Sequence, residues 1–218
     1  MLKDKDIREP LFMFLEETFG KIRIIEEKTM GHSRADIVMV TDNALYGIEI
    51  KSDPDTYVRL ESQVKDYDSF FEYNMIAVGA SHSAHVEEHV PEHWGIITVD
   101  EVDGKPDFYL LRKAAFNPRA KRYFEAMLKR ELSFLWRPEL NHLLEINEMP
   151  RYPGQSKKFV RDKLVEKVEG EKLLNQLCAE LFERDYELAL KQIKEYKEAH
   201  GRKLSKTVKK RKRRKRAQ

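Results

Sequence analysis

The segment GIEIK at 47–51 places two charged side chains in a stretch that otherwise has the pattern of a buried strand. Because side chains alternate between the two faces of a strand, Glu49 and Lys51 project from one face, about 7 Å apart. Ile48 and Ile50 then point to the opposite face, into a core. A carboxylate and an ammonium group are costly to bury unless they are paired or hold an ion. This strand is therefore the first candidate for a functional site.

Asp36 supplies a second carboxylate, since it begins the preceding strand of a predicted hairpin. Two converging carboxylates suit a hard divalent cation such as Mg²⁺, and a lysine beside that ion is placed to orient a water molecule or to neutralise charge on a phosphate. The site requires Asp36 and Glu49 to share a sheet face. The sequence numbers of two directly opposed residues in the hairpin must then add up to an odd value. A sum of 85 pairs Asp36 with Glu49 around a four-residue loop, whereas a sum of 87 pairs Asp36 with Lys51.

The helix predicted after this hairpin adds polar side chains near the same place. Gln63 and Tyr67 are four residues apart and share a helical face, and Arg59 lies one turn earlier. The alternative interpretation is that these side chains only cover the sheet and remain half exposed.

Together, Asp36, Glu49-Ile50-Lys51 and Gln63-x-x-x-Tyr67 resemble the motifs of the PD-(D/E)XK nuclease superfamily, in particular its RecB-like branch. The segment 34–71 also resembles small bacterial and phage proteins placed in that superfamily, and the resemblance extends over about residues 1–116. It implies that Asp36, Glu49 and the carbonyl group of Ile50 bind Mg²⁺ or Mn²⁺. It also implies that Lys51 is the catalytic lysine, and that Gln63 and Tyr67 contact the substrate or steady Lys51.

Members of such a family often recruit one more acid. Glu26, on the strand before Asp36, is the first choice here, and Glu16 or Glu17 on the first helix is the second. Arg34 and Arg59 complete the predicted substrate-binding set. The chain departs from the name-giving motif in having alanine, and not proline, before Asp36.

The elements that position these residues follow from hydrophobic periodicity. The order is helix, three strands, helix, strand, short helix and two strands, which predicts an α/β fold with a mixed central sheet flanked by helices. This order includes the αβββαβ core of restriction-endonuclease-like proteins, as the resemblance implies. The predicted helices are 6–19, 53–73 and 83–90, and the predicted strands are 21–27, 35–41, 45–51, 75–79, 95–99 and 108–112.

The chain changes character after residue 117. Residues 117–200 carry only helical patterns, at 119–136, 138–146, 157–168 and 172–199. Residues 201–218 contain eleven Lys and Arg and no acid, so this tail is predicted to be disordered. The tail is interpreted as an arm for nucleic-acid phosphates, with a nuclear import signal, an acidic partner or an anionic membrane surface as alternatives.

Composition excludes several other classes of protein. No apolar run approaches the ~20 residues that cross a bilayer, so no membrane partner is expected. Cys178 is the single cysteine, which indicates a reducing compartment and a cytoplasmic protein. No glycine-rich phosphate loop occurs, so no nucleotide cofactor is expected.

Two functional hypotheses remain. The first is a Mg²⁺- or Mn²⁺-dependent deoxyribonuclease whose partner is DNA. The second is a protein of the same fold that holds nucleic acid or a protein partner without cutting. The sequence leaves open whether the chain acts alone or as a homodimer.

Overall fold

A six-stranded mixed sheet organises the computed structural model, which describes residues 1–185, 191 and 195. The strands are β1 (Arg23–Met30), β2 (Ser33–Val40), β3 (Leu45–Lys51), β4 (Tyr73–Gly79), β5 (Gly95–Val102) and β6 (Lys105–Arg112). They lie in the sheet in chain order. The pairs β3–β4 and β4–β5 are parallel, and the other three pairs are antiparallel. The mixed α/β fold predicted from the sequence is confirmed.

Helices cover both faces of this sheet. They are α1 (Asp4–Phe19), α2 (Leu60–Phe70), α3 (Ala80–Ser83), α4 (Val86–His89), α5 (Pro118–Glu131), α6 (Arg137–Ile146), α7 (Lys157–Lys167) and α8 (Gly170–Phe182). Helix α1 buries Ile7, Leu11 and Leu15 against one face, because these residues recur at helical spacing on one side of the helix. The other face packs against α2 and the helices that follow residue 117.

Strand β3 separates its apolar and charged side chains between the two faces. Ile48 and Ile50 are buried in the cluster that includes α1, so Glu49 and Lys51 face α2. Gly47 lets that helix approach closely, since a Cβ atom there would lie 2.3 Å from Phe71 and 2.6 Å from Tyr67. Glycine at 47 therefore sets the distance between the charged face of β3 and the helix above it.

The ends of two strands and the start of one helix differ from the sequence prediction. Strands β1 and β2 extend further than predicted because Met30 pairs with Ser33 across a tight turn, with Gly31 at a φ of 55°. The predicted start of the second helix, at residue 53, is wrong. The Asp55 carboxylate accepts hydrogen bonds from the amide and hydroxyl groups of Ser52, which makes a turn there, and α2 begins at Leu60 after a short 3₁₀ turn.

Helices α5–α8 belong to the same compact unit as the sheet, Met1–Arg184, in which residue 117 marks the change to all-helical structure. Cys178 is buried in α8. The predicted end of the last helix at 199 and the tail at 201–218 lie outside the described residues. Over the described part of the chain, no helix combines the length and the apolar character needed to traverse a bilayer.

Candidate active site

The β2–β3 hairpin has the register that the site requires. Ile37 pairs with Ile48 and Val38 pairs with Gly47, so the residue numbers sum to 85 and the loop is 41–44. The predicted odd sum is confirmed, and continuing this register by one residue beyond the Ile37–Ile48 pair sets Asp36 opposite Glu49. The carboxylate of Asp36 also reaches β3 directly, because its Oδ2 accepts a hydrogen bond of 2.9 Å from the amide of Ile50.

Glu49, Lys51 and Gln63 form one hydrogen-bonded network. The Lys51 Nζ atom lies 2.7 Å from Glu49 Oε1 and donates to Gln63 Oε1 at 3.1 Å. The Gln63 amide group in turn donates to Glu49 Oε1 at 2.5 Å. Glu49 is 2% exposed and Lys51 is 5% exposed, so two opposite charges are buried as a bonded pair. Gln63 on α2 therefore contacts both members of this ion pair, and its expected role in contacting substrate or steadying Lys51 stays a prediction.

Tyr67 orders the backbone and side chains around Glu49. Its ring is fully buried between α2 and the sheet. Its hydroxyl group accepts from the Asp36 amide at 3.2 Å and lies 2.8 Å from Glu49 Oε2 and 3.1 Å from the Ile48 carbonyl oxygen, to one of which it donates at a time. Burial, followed by the charge of Glu49, raises the pKa of Tyr67 well above its usual value. The sequence predicts that Tyr67 contacts substrate or steadies Lys51, whereas in the structure its hydroxyl group contacts Glu49, the partner of Lys51.

Arg8 is a site residue that sequence reasoning missed. Its guanidinium donates to both carboxylate oxygens of Asp4, at 3.0 and 2.9 Å, and to the carbonyl oxygen of Asp36 at 3.1 Å. The same group lies 3.6 Å from Asp36 Oδ1 and 3.8 Å from Glu26 Oε2. The available signal was the spacing of Asp4 and Arg8, four residues apart on one helix. That spacing predicts an ion pair within the helix and does not reveal the contact with β2.

The third predicted acid is not brought together with the other two. Across residues 1–185, 191 and 195, no group of three or more His, Cys, Asp or Glu side chains is arranged to hold a metal ion. The side chain of Glu26 is 50% exposed and its ion-pair contact is with Arg8. Any metal held at Asp36 and Glu49 would therefore complete its coordination with backbone carbonyl oxygens, water or substrate.

A pocket of about 630 Å³ opens beside these residues. The predicted site residues that line it are Arg34, Asp36, Glu49, Ile50, Lys51, Arg59 and Gln63. Asp4 and His32 also line it and were not predicted. Arg34 is exposed and forms an ion pair of 3.1 Å with Glu27, so it lies where a ligand entering the pocket would meet it. The hairpin, the 3₁₀ turn and α2 thus direct the predicted polar side chains into one space.

The electrostatics of Asp36 fit a site for a cation. Burial raises its pKa to about 7, and the neighbouring charge of Glu49 adds to this effect. The Ile50 amide and Arg8 act in the opposite direction, but they do not cancel the rise. A divalent cation beside both carboxylates would favour their ionised forms, and carboxylate oxygens are the donors that Mg²⁺ and Mn²⁺ prefer. The residues present therefore fit such an ion.

Comparisons with known proteins assign the chain to a family. A family model described as bacteriophage P4 protein cII matches residues 4–212. No curated protein matches the chain in sequence. Among solved structures, SfsA from Pyrococcus furiosus in complex with Ca²⁺ matches with 14% identity and a TM-score of 0.31, over 48% of this chain and 59% of the SfsA chain. That likeness is too slight to bear on function. Because the family model spans nearly the whole sequence, this protein belongs to the bacteriophage P4 protein cII family.

Proposed function

We propose that this protein is a metal-dependent nuclease that hydrolyses phosphodiester bonds in DNA. The observation that carries the proposal is the buried pair of Glu49 and Lys51 opening onto the same pocket as Asp36. Two acids and a lysine in a polar pocket match the chemistry of phosphodiester hydrolysis, and the resemblance to PD-(D/E)XK nucleases points to the same reaction. Membership of a phage protein family is compatible with that role.

Asp36 and Glu49 would hold Mg²⁺ or Mn²⁺. When bound, such an ion polarises a phosphate oxygen and lowers the pKa of a water molecule. The Lys51 ammonium group neutralises charge that develops on the phosphate, and Gln63 keeps that group beside Glu49. Tyr67 lies 2.8 Å from the second oxygen of Glu49 and can hold that oxygen by donating a hydrogen bond to it.

Two arginines give the pocket a means of receiving a nucleic-acid strand. Arg34 and Arg59 line it along with the proposed catalytic residues. Guanidinium groups bind phosphate oxygens through paired hydrogen bonds, which position a strand without reading its sequence. The basic residues of 202–216 lie outside the described residues and would add affinity of the same kind.

A second candidate function is nucleic-acid or partner binding without cleavage. The observation that favours it is the 2.7 Å ion pair between Lys51 and Glu49, since this lysine occupies an oxygen that a metal would use. In a nuclease that pair opens or shares Glu49 with the metal, and in a binding protein it persists. Cleavage with added metal therefore separates the two candidates.

The test is cleavage of single-stranded, duplex and branched DNA with and without Mn²⁺. The wild-type protein should cut at least one of these substrates only when the metal is present. Lys51→Ala should lower the rate by roughly 100-fold or more, because it removes a group needed in the transition state. Lys65→Ala is the matched control, since Lys65 is an exposed lysine on α2 that pairs with Glu61 at 2.6 Å.

The control variant should cut at the wild-type rate. An inactive wild-type protein that still binds DNA would favour the second candidate. Equal rates for the wild-type protein and Lys51→Ala would remove Lys51 from the mechanism.

A further inference from the structure

The carboxylate oxygens of Asp36 and Glu49 differ in how firmly they are held. Asp36 Oδ2 accepts from the Ile50 amide at 2.9 Å. Both oxygens of Glu49 accept hydrogen bonds of 2.8 Å or less, from Lys51, Gln63 and Tyr67. Asp36 Oδ1 has the loosest contact of the four, an ion pair of 3.6 Å with Arg8 Nη2, which is longer than a hydrogen bond. Of these four oxygens, Asp36 Oδ1 is therefore the one that a cation can reach without breaking a hydrogen bond.

Arg8 stands beside that oxygen because other groups fix it there. Its Nε and Nη2 atoms bind the two oxygens of Asp4 in a fork, and Nη1 binds the carbonyl oxygen of Asp36. The side chain is 16% exposed, so little solvent screens its charge from Asp36. Arginine does not lose its proton in proteins, so this positive charge is permanent.

We infer that Arg8 sets the metal affinity of the site by competing with a divalent cation for Asp36 Oδ1, and that Asp4 moderates this competition by holding the guanidinium. The inference rests on the metal site of the proposed function. A cation bound at Asp36 would lie close to the Arg8 charge, and the two would repel each other in a partly buried pocket. Arg8 thus acts on the metal through charge, and it is not itself a catalytic residue.

A simple tether between α1 and the sheet would behave differently. If Arg8 only joined the helix to β2, its removal would loosen Asp36 and weaken metal binding. If Arg8 competes with the metal, its removal tightens metal binding even when the fold loses some stability. The sign of the change in affinity therefore distinguishes the two roles.

The experiment is a calorimetric titration of the full chain with Mn²⁺, in the absence of DNA. Arg8→Gln removes the charge and should tighten Mn²⁺ binding by roughly tenfold or more. Arg8→Lys keeps the charge and should bind Mn²⁺ much more weakly than Arg8→Gln does. Asp4→Asn leaves Arg8 without its anchor, so the guanidinium can settle on Asp36 and Mn²⁺ binding should weaken.

A double variant tests whether Asp4 works through Arg8. Asp4→Asn in the Arg8→Gln background should bind Mn²⁺ as Arg8→Gln does, because the competitor is already gone. If the double variant binds Mn²⁺ clearly more weakly than Arg8→Gln, Asp4 acts on the metal directly and its assigned role is overturned. Melting curves in EDTA show which variants are folded. If Arg8→Gln fails to fold, weaker binding by Asp4→Asn supports competition, and unchanged or tighter binding overturns it.

Asp36→Asn separates this inference from the proposed function. If the wild-type protein binds Mn²⁺ and Asp36→Asn does not, the metal site stands, and equal or weaker binding by Arg8→Gln then overturns only the role of Arg8. If neither the wild-type protein nor Arg8→Gln binds Mn²⁺, the proposed metal site itself is wrong.

Discussion

In the described part of the chain, two pairs of acidic residues are at least partly buried, and their surroundings differ. Asp36 and Glu49 open onto a pocket, and each has a cation beside it, Arg8 or Lys51. Glu72 is 1% exposed and Glu131 is fully buried, and among the described residues Glu72 Oε1 and both side-chain oxygens of Glu131 have no hydrogen-bond partner. The charge of Glu72 raises the pKa of Glu131, so the two carboxyl groups are close neighbours. Within the described part of the chain, neither Glu72 nor Glu131 forms an ion pair with Lys or Arg.

The difference shows that burial alone does not identify an active site. Burial is the largest cause of the raised pKa of Asp36, Glu72 and Glu131, and it raises the pKa of Glu72 to about 7 and that of Glu131 well above its usual value. Two neighbouring carboxylates that are buried without a cation repel each other, so the second pair is stable when at least one member is neutral. Its members are the residue before β4 and the last residue of α5. The first pair has resident cations and access to solvent, which suits a site that exchanges ions.

Neutralising one member of each pair should separate their roles most clearly. Glu49→Gln removes a proposed metal ligand and the partner of Lys51, so Mn²⁺-dependent DNA cleavage should fall by roughly 100-fold or more. Glu72→Gln replaces a group that can already be neutral, and it should keep cleavage close to the wild-type rate. Initial rates on the same DNA, with folding checked by circular dichroism, measure both variants. Loss of cleavage in Glu72→Gln alone would reverse the assignment.

The second pair should make the protein less stable as the pH rises. In the unfolded chain glutamate ionises near pH 4.5, whereas in the folded protein burial raises the pKa of Glu72 to about 7 and that of Glu131 well above its usual value. The folded state then binds more protons than the unfolded state over this range, so the free energy of unfolding falls as the pH increases. Glu131→Gln should remove part of this fall.

Urea denaturation at pH 5 and pH 8 measures that effect. The difference in unfolding free energy between the two pH values should be smaller in Glu131→Gln than in the wild-type protein. Glu125→Gln, at an exposed position on the same helix, is the control and should retain the wild-type difference. A pH dependence unaffected by Glu131→Gln would show that the pair does not hold a proton.

Deleting residues 202–218 should have the smallest effect on either pair. The deletion removes eleven positive charges, so DNA affinity should drop and the slope of log K against log salt should become shallower. Mn²⁺ affinity and the pH dependence of stability should not change. Salt titrations of DNA binding by the full and shortened chains measure the slope, and equal slopes would assign the tail another role.

The sequence predicted those parts of the site that depend on local alternation. Because side chains alternate with a period of two residues, Asp36 can share a face with Glu49 and Lys51 only if the numbers of directly paired residues add up to an odd value, as they do. Gln63 and Tyr67 followed from helical spacing. The contact between Arg8 and Asp36 spans 28 positions and depends on how α1 lies on the sheet, which no local pattern encodes.

The Glu72–Glu131 pair was not predicted for the same reason, since hydrophobic periodicity describes each helix or strand by itself and does not show which distant elements pack together. Buried acids at helix and strand ends resemble exposed ones in a sequence this rich in charge. The strand ends at residues 30 and 33 were missed because the turn between them carries one glycine and no stronger signal.

The location of bound Mn²⁺ tests the central claim most directly, because Mn²⁺ gives an anomalous diffraction signal in crystals soaked with the metal. We expect a peak between the carboxylates of Asp36 and Glu49, with the metal sharing Glu49 Oε1 with Lys51 and Gln63, and no peak at Glu72 and Glu131. An intact Lys51–Glu49 ion pair with no peak beside Asp36, at Mn²⁺ concentrations well above those of catalytic assays, would contradict the assignment of this pair as the metal site of a nuclease.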